Sequence, residues 1–306
     1  GGKLEARFDP ASGQLTLLEN GKAFAVGELA GAGKTECSTE RLEQDSPLGP
    51  GSMLKVGPGE GRVVIREGSP FVFIRRDGRS GPVAQPGNRA QALRARLNLG
   101  AAADKLKILG PGGLLDPAGN KGQHVLSAVA DPVSGAGVVA GLVRIDAVSG
   151  TLFTAVEGGQ VVLTLRDDYG SAIPPHLKPD GGDWWAIGCF DDARLGLEAW
   201  ADEFARINRI ELPPVPVGHM TWYCERHGGA LNQTAVVELA QYLSRTFGPW
   251  GYDFLQIDDL WQNGQKRNGP AKDFTKVNPK GPYKDGMTPV ARLAPVLKPV
   301  GLTGLG

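Results

Sequence analysis

Two adjacent carboxylates and a tryptophan follow a short apolar segment in the last quarter of the chain. Residues 254–257 lead into Asp258 and Asp259, and Trp261 comes two residues later. Ionised carboxylates accept hydrogen bonds from hydroxyl groups, and the flat face of an indole stacks on apolar C–H groups. Sugars present both kinds of surface, so this combination predicts a carbohydrate-binding site.

The adjacency of the two acids argues against a cleaving role. Neighbouring residues of a strand point to opposite faces, whereas the catalytic carboxylates of a retaining glycosidase face each other at about 5 Å. Asp258 and Asp259 are therefore predicted to hold neighbouring sugar hydroxyls. The alternative is a solvated turn between a strand and a loop.

The segments around these acids alternate between strand and helix. We predict a strand at 217–223, a helix ending near Phe247, and a second strand at 252–257. Such alternation favours parallel pairing, and barrel enzymes place their sites at the carboxyl ends of the strands. Trp222, near the end of the first strand, is either a pocket residue or a core aromatic. A polar loop at 262–286, a short helix and a third strand near Leu302 are predicted to follow.

Residues 1–190 have a different pattern, in which short apolar runs are separated by turn signals. Asn20-Gly21 between alternating apolar residues predicts a β-hairpin. Regular short strands of this kind are typical of an antiparallel β-sandwich. The predicted strands are 14–18, 23–26, 62–66, 71–75, 93–99, 122–129, 137–145, 151–156 and 160–166.

A helix and a proline-rich segment separate the two patterns. Residues 191–206 read as an amphipathic helix, with Asp191-Asp192 at its start and Leu195, Trp200, Phe204 and Ile207 near one face. The predicted organisation is a sandwich domain at 1–190, a linker helix and connection at 191–216, and the first part of a TIM (β/α)8 barrel at 217–306. The predicted class is thus multi-domain, β plus α/β, with an incomplete barrel.

Composition limits the kinds of partner. The 33 Lys and Arg residues balance 33 Asp and Glu residues, which argues against a nucleic-acid or anionic-membrane surface. No apolar run approaches ~18 residues, the length of a membrane helix. Cys37, Cys189 and Cys224 form no CxxC pair, so we expect three buried thiols and no structural zinc. The alternative is one disulfide between two of them in an oxidising compartment. Compartment and oligomeric state are left open.

Two motifs lie on the predicted barrel strands: Gly218-His-Met-Thr-Trp-Tyr223 and Tyr252-Asp-Phe-Leu-Gln-Ile-Asp-Asp-Leu-Trp-Gln262. With the downstream Asn278-Pro-Lys-Gly-Pro-Tyr-Lys-Asp-Gly-Met287, they resemble the α-galactosidase and raffinose-synthase clan of glycoside hydrolases. Leu260 stands where the clan has Gly or Cys, and His219 stands where tryptophan is frequent. Both departures leave the sugar specificity open.

The resemblance implies roles for four residues. Asp258 and Asp259 match the pair that binds the 4- and 6-hydroxyls of galactose, Trp222 matches a pocket aromatic, and Trp261 matches the tryptophan that follows. It also implies a retaining mechanism without metal or cofactor. The clan's nucleophile and acid/base are aspartates on the fourth and sixth barrel strands. We therefore expect this chain to be inactive alone, as part of a longer parent enzyme with a carbohydrate substrate.

Two alternative functions remain open. A raffinose-synthase-like α-galactosyl transferase would use the same residues, because transfer and hydrolysis differ only in whether a sugar or water intercepts the intermediate. A non-catalytic carbohydrate-binding protein built on the sandwich would not depend on Asp258.

Overall fold

The computed structural model describes residues 3–29, 36–57, 61–77, 89–110, 113–119, 122–145, 149–168, 182–215, 217–221, 233–252, 254–256, 262–263 and 273–277. The chain forms two compact units, Gly1–Glu211 and Leu212–Gly306. Among the described residues, no helix has both the length and the apolar character needed to span a membrane. The predicted division into 1–190, 191–216 and 217–306 stays a prediction.

The first unit is built from two antiparallel sheets. Its strands are β1 (Leu4–Asp9), β2 (Gln14–Glu19), β3 (Lys22–Leu29), β4 (Cys37–Leu42), β5 (Gly51–Val56), β6 (Gly61–Arg66), β7 (Val72–Arg76), β8 (Arg89–Leu97), β9 (Lys107–Gly110), β10 (Gly113–Leu115), β11 (Gln123–His124), β12 (Leu126–Ala130), β13 (Gly137–Leu142), β14 (Ser149–Glu157), β15 (Gln160–Asp168) and β16 (Trp185–Phe190). One sheet has the order β1-β2-β3-β8-β15-β14-β11, and the other has the order β10-β9-β12-β13-β16-β7-β6-β5-β4.

A single apolar core joins the two sheets. Leu17 and Leu93 from the first sheet belong to the same buried cluster as Ile74 and Trp185 from the second. Burial of such side chains stabilises a domain by about 1.5–3 kcal/mol each relative to exposure. The predicted antiparallel β-sandwich is therefore confirmed.

Turn residues in the sequence predicted the positions of several strands correctly. Asn20 and Gly21 both have positive φ, 50° and 76°, and they join β2 to β3 with Glu19 opposite Lys22. This is the geometry that a two-residue hairpin favours. The sequence patterns missed β1, β4, β5, β9, β10 and β16. Cys37 lies exposed on β4, the edge strand of its sheet, so the expectation of a buried thiol is wrong there.

The predicted strand at 122–129 is divided by a left-handed residue. Val125 has φ 66°. On one side of it β11 pairs with β14 in the first sheet, and on the other side β12 pairs with β13 in the second. A β-branched residue with positive φ is a strained conformation. Backbone hydrogen bonds from Val125 N to Gly150 O at 2.9 Å and from Leu142 N to Val125 O at 2.8 Å hold this crossing in place.

Helix α1 (Ala193–Asn208) packs on the second sheet. It begins at Asp192, whose carboxylate accepts a hydrogen bond from the Arg194 amide at 2.9 Å, as the acidic pair predicted. Ile207 is buried as expected, but Leu195 is exposed, contrary to the predicted face. The helix turns Gly196 toward the sheet instead, where an added Cβ would lie 2.6 Å from the Phe190 ring.

Candidate functional site

A parallel pair of short strands forms the described framework of the second unit. β17 (Gly218–Met220) pairs in parallel with β18 (Phe254–Gln256), and helix α2 (Gln233–Phe247) connects them in the sequence. Val236, Ala240 and Leu243 are its buried residues, spaced as one helical face. The helix ends at Phe247 as predicted, directly before Gly248-Pro249, and Gly251 follows with φ 88°. The predicted order of strand, helix and strand is confirmed in these residues.

Gly218 allows the two parallel strands to approach each other closely. A Cβ at this position would lie 2.2 Å from the backbone oxygen of Phe254 and 2.5 Å from its Cβ. Atoms of real side chains do not approach backbone so closely, so a larger residue would push the strands apart. This gives a physical reason for the glycine that opens the first motif.

Replacing Gly218 with alanine should therefore loosen the strand pair. Overpacking of this kind costs about 1–3 kcal/mol, which should appear as faster amide hydrogen exchange in residues 254–256. Gly248→Ala is the matched control, because its Cβ would meet only Ser244 Oγ at an ordinary 3.8 Å. Equal exchange rates in the two variants would contradict the close-approach interpretation.

Two polar side chains are half-buried beside this framework. His219 Nε2 and the Tyr252 hydroxyl are buried and lack a hydrogen-bond partner among the described residues. Burial raises the pKa of Tyr252, since the charged phenolate loses hydration. His219 occupies a strand position, opposite Leu255.

The four predicted site residues, Trp222, Asp258, Asp259 and Trp261, lie outside the described residues. The same holds for the helix and third strand predicted after residue 287. The predicted polar loop at 262–286 is wrong in part, because β19 (Gln262–Asn263) pairs antiparallel with β20 (Asp273–Val277). Phe274, Thr275 and Val277 favour extended backbone, which fits this strand.

No family model matches the sequence, and no curated protein matches it. Solved structures do match. The α-N-acetylgalactosaminidase NagBb from Bifidobacterium bifidum, in its GalNAc complex, aligns with 98% of this chain at a TM-score of 0.52 and 14% identity. Over the aligned residues, this chain is similar in fold to that enzyme. The expected resemblance to α-galactosidase-like glycoside hydrolases is thus confirmed at the level of the fold.

The length of this chain differs from that of the matched enzymes. The alignment covers 57% of the NagBb chain, so the present chain spans a little over half of it. Ligand-free NagBb aligns with a TM-score of 0.49 at 14% identity, over 98% of this chain and 57% of that one. The GH36 α-galactosidase AgaA from Geobacillus stearothermophilus aligns with a TM-score of 0.38 at 13% identity, over 100% and 44%.

Two parallel strands joined through a helix occur in many α/β folds. The incomplete TIM barrel therefore stays a prediction, and so does the pocket that Asp258 and Asp259 would line.

Proposed function

We propose that this chain is part of a retaining glycoside hydrolase that acts on α-linked galactosides or similar α-glycosides. One observation carries the proposal: β17 and β18 pair in parallel, and candidate sugar-binding residues follow each of them. Trp222 comes two residues after Met220, and Asp258 comes two residues after Gln256. The carboxyl ends of parallel strands meet at one edge of a sheet, which is where barrel enzymes bind substrate.

In this proposal the two carboxylates hold the sugar and do not cleave it. Asp258 and Asp259 accept hydrogen bonds from two neighbouring hydroxyls, the 4- and 6-hydroxyls in a galactoside. Trp222 and Trp261 supply apolar surface beside them. Charge-assisted hydrogen bonds of this kind contribute about 1.5–3 kcal/mol each, enough to select a sugar by its hydroxyl pattern.

Cleavage then depends on residues outside the 306. We place β17 and β18 as the first two strands of a (β/α)8 barrel, whose fourth and sixth strands carry an aspartate nucleophile and an aspartate acid/base. The reaction proceeds by double displacement through a covalent glycosyl–aspartate, with no metal or cofactor. The fold likeness to NagBb, solved with GalNAc, supports this assignment.

The decisive test is an assay of the complete parent protein on a panel of aryl α-glycosides. We expect aryl α-galactoside or a close analogue to be cleaved, and NMR to detect the α-anomer of the sugar first, as retention requires. A β-anomer as first product, or no cleavage of any α-glycoside, would overturn the proposal. Adding a second sugar as acceptor distinguishes hydrolysis from raffinose-synthase-like transfer.

Replacing Asp258 with alanine in the complete protein should weaken binding of the free monosaccharide by about ten- to a hundredfold, the loss of one charge-assisted hydrogen bond. Isothermal titration calorimetry measures this directly. Asp191→Ala is the matched control, because Asp191 belongs to an acidic pair at the start of α1. Unchanged affinity in Asp258→Ala would favour a sugar-binding site on the sandwich instead.

A further inference from the structure

A polar cleft of about 830 Å³ opens on the sandwich unit. Four of its lining residues are arginines that come from separate parts of the chain: Arg66 ends β6, Arg144 follows β13, and Arg206 and Arg209 lie at the end of α1. We call this site the arginine cleft. Its volume is within the range of about 300–1,000 Å³ that small-molecule sites occupy.

Positive charge exceeds negative charge in the arginine cleft. Among the described residues that line it, Asp45 is the one acid. Glu203, beneath the cleft, pairs with both Arg66 and Arg206. Arg66, Arg206 and Arg209 against these two carboxylates leave an excess of one positive charge among the described residues. Arg66 Nε is also buried without a hydrogen-bond partner among the described residues.

Arg209 occupies a backbone position that favours glycine. It is the C-cap residue of α1, with φ 52° and ψ 47°, and a left-handed conformation costs a residue with a side chain about 1–2 kcal/mol. The backbone N–H of Arg209 donates to Ala205 O and Arg206 O, but glycine would make the same bonds, so they do not explain an arginine here. The exposed Arg209 side chain forms no ion pair or hydrogen bond with the described residues. Glycine would serve the helix end better, and the arginine therefore points to a role in binding.

We propose that the arginine cleft binds an oxyanion, with Arg209 as its principal ligand. A guanidinium group presents a planar fork of N–H donors that matches two oxygens of a phosphate, sulfate or carboxylate. Arg66 and Arg206, which share the single Glu203 carboxylate, add to the positive field at the same site. The anion is either a free inorganic ion or an acidic group carried by a glycan. The cleft lies wholly within Gly1–Glu211, so this proposal does not depend on the hydrolase assignment.

The test is calorimetric titration of the 306-residue chain with inorganic phosphate, at low and constant ionic strength. We expect Arg209→Gly to weaken binding by about tenfold or more. Its thermal stability should be equal or slightly higher, because glycine suits the left-handed cap. This combination separates a binding role from a folding role. Arg7→Ala is the control, since it removes one exposed positive charge from β1, outside the cleft.

A second titration identifies the source of the anion. An oligosaccharide of glucuronic acid is compared with a neutral glucose oligosaccharide of the same length. Tighter binding of the acidic oligosaccharide than of phosphate, lost in Arg209→Gly, assigns the cleft to acidic glycans, whereas Arg209-dependent binding of phosphate alone assigns it to a free ion. The proposal is overturned if neither probe binds, if Arg209→Gly binds both as the unmodified chain does, or if Arg7→Ala weakens binding equally.

Discussion

Replacing Asp167 with asparagine should raise the free energy of unfolding at about pH 8 by roughly 4 kcal/mol and change it little at about pH 4. Asp167 is fully buried near the end of β15. Burial, the largest influence, raises the pKa of this carboxyl from its ordinary 3.8 to about 7. A hydrogen bond from Trp185 Nε1 to Oδ1, at 2.8 Å, and the charge of Arg76 oppose that rise, while Asp183 and Asp168 add to it.

The direction in which stability changes with pH follows from the raised pKa of Asp167. Below about pH 4 the carboxyl is protonated in both the folded and the unfolded chain, and its contribution to stability is fully present. As pH rises from about 4 to about 7, the unfolded chain ionises first and the folded protein loses stability. The asparagine side chain does not ionise in this pH range, and its oxygen can still accept the hydrogen bond from the Trp185 N–H. The variant should therefore lack the loss of stability that ionisation of Asp167 causes between about pH 4 and pH 7.

Urea denaturation at several pH values measures the difference between the two proteins. Asp192→Asn is a control, because the contribution of Asp192 to stability has the opposite pH dependence. The hydrogen bonds that Arg194 donates lower the pKa of Asp192 to about 2, so its contribution is present above about pH 4 and lost only in more acidic solution. If Asp167→Asn loses stability between about pH 4 and pH 7 in parallel with the unmodified protein, the raised pKa is wrong.

Features set by a few neighbouring residues were predictable from the sequence. The Asn20-Gly21 turn and the Asp192 helix cap follow from backbone preferences of single residues, and both are present in the structure. The alternation of strand, helix and strand in the second unit also follows from local patterns. By contrast, nothing in the sequence around Val125 indicates that the chain changes sheets there, because that crossing depends on partners in β13 and β14.

The buried polar contacts could not be predicted for the same reason. Asp167 and Asp168 lie at the end of β15, and the Asp167 carboxyl accepts a hydrogen bond from the Trp185 ring of the other sheet. The arginine cleft joins Arg66 to Arg209, which are far apart in the chain and share no motif. For the candidate sugar site, the sequence predicts which residues take part. The structure adds that β17 and β18 pair in parallel, with Met220 opposite Gln256, so that the carboxyl ends of the two strands lie side by side.

Replacing Glu203 with alanine should destabilise the sandwich unit by about 3 kcal/mol, because it leaves buried positive charge unpaired. The Glu203 side chain is only 7% exposed, and it pairs with Arg66, which is 14% exposed. Arg206 donates to the same carboxylate from Nε at 3.1 Å and from a terminal nitrogen at 3.0 Å, and also to Leu48 O at 3.0 Å. Arg206 is 40% exposed and can turn toward water, which keeps the loss at the lower end of the range for buried pairs.

Glu157→Ala is the matched control for this prediction. Glu157 pairs with Arg94 at 2.6 Å, but both side chains are about 40% exposed, and exposed ion pairs contribute at most about 1 kcal/mol. Phosphate adds a second comparison, since an anion that enters the arginine cleft of Glu203→Ala can replace part of the missing charge and raise its stability by mass action. It should have no such effect on Glu157→Ala. If the two variants lose equal stability in urea denaturation, Glu203 does not neutralise buried charge beneath the cleft.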